Sequence, residues 1–377
     1  MLRLVTIIIS ALAAVLVPVA AFPTMAVDPA PSPLNPPLVG FSFSPVAAGY
    51  AGLDPKAALS ELLQRLRPDV VRLPVYWSDV APAPHHFDFG EVDGMLTLVA
   101  AHNGQPGQRP THVVLVVGAR NLGFPEVYLP EWIPPEKALS VAALVRGPDY
   151  AEYLTASVHR YAHNPLLQAW QVENEPLDDV ASGQPVDVAM PVAQVRAEVD
   201  RVHVLDPHHP VAVTTYNSAH VDLDAVGSSR FGEVFAHLPG PQPVGHPLPA
   251  LEVSDVLGLD VYVITGNTSA LADVPAARRI GWKHDILDYW SQRALAQGKQ
   301  LWVTELQAAP WPGTDGFTPD DLLLSASQYA DSSASLVLLW GVESWVRDPR
   351  WWKAGVAAVR ILRGHAPQDA QRAIWSF

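Results

Sequence analysis

The chain has 377 residues, 49% of them hydrophobic and 16% charged, which supplies a large core and argues against an intrinsically disordered chain. Its formal charge of -14 comes without a basic cluster, so a nucleic-acid surface built on phosphate contacts is excluded. It has no cysteine, which excludes disulfides, thiolate metal sites, a cysteine nucleophile and a cysteine-linked lipid anchor.

The first element is "MLRLVTIIISALAAVLVPVAAF", with one early Arg3, an apolar run from Leu4 to Phe22 and small residues at Ala21 and Ala26. It reads as a secretory signal. The run is also just long enough to span a bilayer, so an uncleaved anchor is the alternative. Residues 1–27 are therefore expected to be a signal peptide or membrane tether, with the rest of the chain secreted or held outside the cytoplasm. "DPAPSPLNPP", residues 28–37, reads as an extended proline-rich linker. One domain is expected over 38–377, its barrel ending near residue 365.

From Leu38 short apolar runs alternate with stretches of helical spacing. The runs are 38–44, 69–75, 112–118, 167–175, 211–217, 255–263, 300–306 and 335–342. Runs of this length suit strands buried on both faces of a parallel sheet. The segments between them, such as "PKAALSELLQRLRP" and "GPDYAEYLTASVHRYAHN", read as helices; before the sixth run only "RFGEVFAHL" does. Eight right-handed strand–helix units predict an α/β fold, the (β/α)8 TIM barrel. A doubly wound open sheet is the runner-up, weakened by the lack of a glycine-rich phosphate fingerprint after the first strand. The long connections 119–148 and 218–254 follow strands 3 and 5, on the barrel face that carries active sites.

In a barrel the polar residues at strand ends converge on one mouth. These are Arg72, Glu173, Asn174, Glu175, Tyr262, Glu305, Trp340, Glu343 and Trp345. Glu175 and Glu305 come from strands 4 and 7, which can face each other across that mouth. Two facing carboxylates suit glycosidic bond cleavage: one protonates the leaving oxygen, the other attacks the anomeric carbon or activates water. Arg72 could hold the nucleophile ionised, and Tyr262 could donate a hydrogen bond to it. The competing reading is a set of buried ion pairs closing the barrel end. Glu173 shares the strand parity of Glu175 and is expected to point inward one layer deeper. It reads as a partner to a barrel arginine or to backbone rather than a substrate contact.

"ENEP" after strand 4 and "VTEL" ending strand 7 resemble the superfamily of retaining (β/α)8 glycoside hydrolases. "VVRLPVYWSDVAPAPHHFDFGEVDGML", "LDVYV" and "LWGVESW" are similar to its strand 2, 6 and 8 segments. The resemblance spans about Gly40 to Trp345, with five motifs in order. It implies Glu175 as acid/base and Glu305 as nucleophile. It further implies that Asn174 binds a sugar hydroxyl, that Arg72 and Tyr262 support Glu305, and that Glu343 lies in the substrate site. Trp340 or Trp345 would be a sugar platform, since an aromatic face packs on a pyranose. The histidines that the cellulase-like branch carries at the end of strand 3 and before the strand 6 tyrosine are replaced here by "VVGARN" and Asp260-Val261. No specific family is singled out.

The expected function is a retaining O-glycosidase acting on β-glycosidic bonds of oligo- or polysaccharides, with a carbohydrate substrate and no cofactor or metal. The alternatives are a non-catalytic carbohydrate-binding barrel at the cell surface and a transglycosylase using the same two glutamates. His85-His86 and His208-His209 lack metal-ligand spacing and read as surface loops. No Gly-x-Ser-x-Gly elbow supports an esterase. Asn267-Thr268-Ser269 fits a glycosylation sequon. "RDPRWWKAG" reads as a helix start packed on the barrel.

Overall fold

The computed structural model describes residues 36–138, 140–178, 188–216, 245–263, 275–310 and 316–367. The expected signal or anchor, nearly all of the linker, the "RFGEVFAHL" helix and the sequon lie outside these residues. No helix among the described residues is long and apolar enough to cross a membrane.

Eight strands close a barrel in sequence order, each parallel to its neighbours. They are β1 (Leu38–Ser42), β2 (Val70–Tyr76), β3 (His112–Gly118), β4 (Leu167–Val172), β5 (Val211–Tyr216), β6 (Val256–Val261), β7 (Gln300–Gln307) and β8 (Leu336–Trp340). The outer helices are α1 (Pro55–Leu66), α2 (Gly90–Asn103), α3 (Pro148–Tyr161), α4 (Val192–Leu205), α5 (Pro247–Val253), α6 (Ala276–Ala296), α7 (Pro319–Tyr329) and α8 (Pro349–Leu362). The expected (β/α)8 barrel is the observed fold, and the open sheet is not.

Helix starts follow local chemistry. Asp54 accepts a hydrogen bond from Ala57 N ahead of Pro55, and Thr318 and Asp321 form a reciprocal cap before α7. Each satisfies backbone donors that the first helical turn leaves unpaired. Alternation along the strands builds two cores. Val70, Val114, Ala169, Ala212, Val256, Trp302, Leu336 and Leu338 fill the barrel interior, while the opposite strand faces pack under the helices. The interior set lies toward the N-terminal ends of the strands. Above it, at the C-terminal ends, the inward positions turn polar: Ser42, Arg72, Gln171, Thr214, Asp260 and Thr304 are all buried. That polar layer is the floor of the site.

Trp351 and Trp352 stand in the first turn of α8, buried as expected. Trp351 stacks on Phe317 and Trp352 meets Trp345 edge-on.

Candidate active site

Arg72 and Glu305 are at the centre of the polar floor. Arg72 is fully buried and splits its donors three ways. Nε reaches Ser42 Oγ at 2.8 Å, Nη1 reaches Gln171 Oε1 at 2.9 Å and Nη2 reaches Glu305 Oε1 at 2.5 Å. Tyr262 donates its hydroxyl to the other oxygen, Glu305 Oε2. Both oxygens of Glu305 are thus held, one by a charge and one by a phenol whose own proton is retained because burial, and then the charge of Glu305, push its titration far up. The Tyr262 ring in turn lies parallel to Tyr216 at 6.1 Å.

Strict alternation would have turned Glu305 away, since Trp302 faces the interior. A bulge reverses this. Leu259 pairs with Val303 but Asp260 pairs with Glu305, so β7 carries one extra residue, Thr304, and the β7–β8 register shows the same insertion. Bulges re-aim side chains in this way. Thr304 is fastened on both sides: its hydroxyl donates to Asp260 Oδ1 at 2.7 Å and its carbonyl accepts from Ser42 Oγ at 2.9 Å. Gly258 makes room beneath, because a Cβ there would stand 2.7 Å from the Thr214 side chain and 2.8 Å from that of Thr304.

Regular strand geometry in β4 ends at Val172, earlier than expected. Glu173 and Glu175 both adopt left-handed backbone, φ 56° and 45°, a conformation that non-glycine residues enter at a cost on the order of 1–2 kcal/mol. Alternation therefore fails beyond Val172, and the expected inward direction of Glu173 is corrected. Its carboxylate accepts from Ala119 N at 3.0 Å, Arg120 N at 2.5 Å and the Tyr150 hydroxyl of α3 at 2.7 Å. It thus clamps the loop after β3 and faces the helix layer. The expected backbone partnership holds. Gly118 leaves it space, since a Cβ there would come within 2.6 Å of the carboxylate. Burial raises the proton affinity of Glu173 against these donors.

Glu175 points elsewhere. Its N–H donates to Thr214 Oγ1 at 2.9 Å, and no described residue hydrogen-bonds its carboxyl. Burial first, then the charges of Asp260, Glu126, Asp178 and Glu305, hold its pKa well above the ordinary carboxylate range. Asn174 is buried beside it and its Oδ1 accepts from Gln171 Nε2 at 3.2 Å. The structure thus brings Arg72, Asn174, Glu175, Tyr262 and Glu305 together. Glu343 lies in the 3-10 turn after β8, where its Oε1 accepts from Ser44 N at 2.6 Å. Burial pushes its pKa up to about 7.

The two tryptophans part company. Trp340 is partly exposed at the end of β8. Trp345 is fully buried, donates Nε1–H to Ala308 O at 2.8 Å, and packs so closely on α8 that a Cβ on Gly355 would sit 2.2 Å from its ring. Its expected place as a sugar platform is corrected: no face is open. The histidine pairs are peripheral. His85 meets Glu152 at the surface and His209 meets Asp206 in the turn before β5. Among the described residues no group of three or more potential ligands could hold a metal ion.

Sequence reasoning passed over Asp260 as a site residue. It is fully buried between the two glutamates' fields, with Oδ2 unpartnered, and burial and the charge of Glu305 keep its pKa well raised. Its parity with Tyr262 was the available signal. Arg120, Glu126 and Asp178 were also missed; they sit on loops, where no periodicity speaks.

Several solved structures resemble this one. GH5_18 from Streptomyces cattleya, in complex with GlcNAc, aligns with a TM-score of 0.62 at 15% identity, covering 88% of this chain and 82% of that one. The exo-beta-1,4-mannosidase Op5Man5 from Opitutaceae bacterium strain TAV5 aligns at 0.52 and 16% identity, over 92% and 63% of the two chains. Endo-glycoceramidase II from Rhodococcus sp., seen as a lactosyl-enzyme intermediate, aligns at 0.51 and 15%, over 83% and 76%. The chain matches no protein-family model and no curated protein. What the likeness establishes is the fold, a closed eight-stranded parallel (β/α)8 barrel.

Proposed function

We propose that this protein is a retaining O-glycosidase that hydrolyses β-glycosidic bonds, with Glu305 as nucleophile and Glu175 as acid/base. One observation carries the reading. Of two buried glutamates at one barrel mouth, Glu305 has both oxygens fixed by Arg72 and Tyr262, while Glu175 has a carboxyl that no described residue hydrogen-bonds and whose surroundings favour the proton. That difference is the division of labour the reaction needs. Glu305 attacks the anomeric carbon, and the bond to the leaving oxygen breaks as Glu175 gives that oxygen its proton. Glu175, now a carboxylate, takes a proton from water, whose oxygen displaces Glu305 and regenerates both groups.

The lactosyl-enzyme intermediate of the Rhodococcus neighbour supports the double displacement by analogy of fold. The sugar complexes among the neighbours suggest glucosides, galactosides, mannosides and N-acetylglucosaminides as the first glycones to try. The N-terminal apolar segment leads us to propose an extracytoplasmic site of action. The test is a panel of aryl β-glycosides with the chain from Leu38 onward, beside Glu305→Ala and Glu175→Ala, with the anomer of the first-formed product read by NMR. Turnover lost in Glu305→Ala with retention of configuration is expected. An inverted product would refute the nucleophile, and sugar binding without turnover would favour the non-catalytic barrel.

A further inference from the structure

The loop after β3 holds a carboxylate that the proposed chemistry leaves unused. Arg120 is fully buried there. Its Nη1 donates to Asp178 O at 2.7 Å and its Nη2 to Glu126 Oε2 at 3.0 Å, while its Nε has no partner. The guanidinium thereby ties the β3 loop to the loop that carries Glu175. Glu126 itself is not sealed in. About a quarter of its side chain, 24%, meets solvent, and no described residue hydrogen-bonds Oε1.

It stands on the barrel face that carries Glu175, since the Arg120 it grips also donates to Asp178 O and accepts from Asn174 N at 3.1 Å, on either side of Glu175. The backbone has been built to hold it there. Glu126 is left-handed, φ 70°. Its N–H donates to Gly123 O and its carbonyl accepts from Asn121 N, both at 2.7 Å, within a bridge pairing Arg120 with Val127. A strained non-glycine residue, over-determined by its surroundings and partly open to solvent, is a common mark of a functional position.

The charges around it define what it can meet. Glu175, Asp178, Asp260, Glu305 and Glu343 surround the same mouth. Among the described residues, Arg72 and Arg120 are each already bound to a carboxylate, Arg279 donates to Val263 O, and Lys283 lies over the Tyr216 ring. A neutral pyranose offers hydroxyl donors to an open carboxylate oxygen, which accepts them strongly. A uronic acid would bring a second negative charge against the first, and like charges juxtaposed in an interface are disfavoured. We propose that Glu126, clamped by Arg120, accepts a hydrogen bond from a substrate hydroxyl and makes the site selective for neutral sugars over uronic acids. This deepens the glycosidase reading and rests on the site being a sugar site.

The test compares wild type with Glu126→Gln on the best aryl glycoside of the panel, its monodeoxy analogues and the matching glycuronide. The variant is expected to lower kcat/KM on the neutral glycoside about tenfold to a hundredfold, the range for a hydrogen bond to a charged group. On the one analogue lacking the contacted hydroxyl its effect shrinks to about twofold, because the partner is already gone. The preference for neutral sugar over uronide narrows at least tenfold. An equal loss on every deoxy analogue, or an unchanged preference, overturns the proposal and leaves the glycosidase reading intact. If wild type turns over nothing, the same comparison is made on sugar affinities by calorimetry. Neutral-sugar binding weakened by Glu126→Gln then supports the proposal while hydrolysis fails; equal binding, or none, overturns it. Should Glu126→Gln not fold, Glu126→Asp takes its place. The charge stays, and the preference for neutral sugar over uronide with it, while kcat/KM on the neutral glycoside falls except on the one deoxy analogue; an equal loss on every analogue overturns the proposal.

Discussion

Arg72→Met, read against Arg72→Met/Glu305→Leu, isolates the interaction on which the site is built. Arg72 is fully buried and Glu305 nearly so, 4% exposed. Removing the guanidinium leaves Glu305 Oε1 without its charge and orphans Gln171 Oε1, while Ser42 Oγ keeps its bond to Thr304 O. Breaking a buried pair from one side costs about 3–5 kcal/mol, and one orphaned acceptor adds about 1 kcal/mol. The expected loss is about 4–6 kcal/mol. For 377 residues at ~2.1 cal/mol/K per residue, the unfolding entropy is about 0.8 kcal/mol/K, so Tm should fall by about 5–8 °C. The double variant replaces both charges with apolar groups and should regain about half or more of that loss, since a buried pair exchanged whole is often near neutral. Thermal or denaturant unfolding of the two single variants, the double variant and wild type gives the coupling directly. This assay needs no knowledge of the substrate. Additive losses, or a single variant as stable as wild type, would refute the claim that Arg72 and Glu305 are bound as one unit.

Glu175→Gln should lower kcat about 10²–10⁴-fold on glycosides with poor leaving groups. Because the folded environment raises the Glu175 pKa, wild-type activity should persist above the ordinary carboxylate range and decline as pH rises through the raised value. That alkaline limb should disappear in the variant's pH–rate profile. Glu343 is raised from 4.5 to about 7, so the folded state binds its proton more tightly than the unfolded chain. Its contribution is full below pH 4.5 and is lost as pH climbs toward 7, on the order of 3 kcal/mol in all. Glu343→Gln keeps an acceptor for Ser44 N and removes the titration, so its Tm relative to wild type should rise between pH 5 and pH 8. Trp345→Ala should destabilise by about 3–5 kcal/mol as a cavity. Trp340→Ala should leave Tm within a few degrees and weaken sugar binding by titration.

The barrel was legible because its strands obey a simple rule. Runs such as "HVVLVVG" are apolar on both faces, which only a sheet covered on both sides requires. The five motif positions were legible for the same reason: strand ends in a closed barrel have no freedom but to converge. What was not legible arises where the chain leaves the strands. Trp340 and Trp345 look alike in sequence, but Gly341, left-handed at φ 90°, ends β8 between them. The short 3-10 turn that follows then carries Trp345 back under α8. Glu126 and Arg120 meet across a loop of seven residues, and nothing periodic in that loop announces it.

Glu175 and Glu305 have one property in common that no residue pattern displays. Each stands at the mouth beside a break in the alternation of its own strand. On β4 the break is a left-handed turn, which sends Glu173 into the helix layer and leaves Glu175, two residues later, with no described partner for its carboxyl. On β7 it is the extra residue Thr304, without which Glu305 would face the helices and Arg72 would have no anion to hold. Both breaks carry an energetic cost, one in backbone conformation and one in a disrupted ladder. Both are held by buried polar side chains, Glu173 on the β3 loop and Asp260 on Thr304. Those two acids therefore matter to the proposed chemistry as much as the pair they position. The two glutamates of "ENEP" divide accordingly: the first fixes the backbone, and the second, which no described residue hydrogen-bonds at its carboxyl, is the proton carrier of the proposed mechanism.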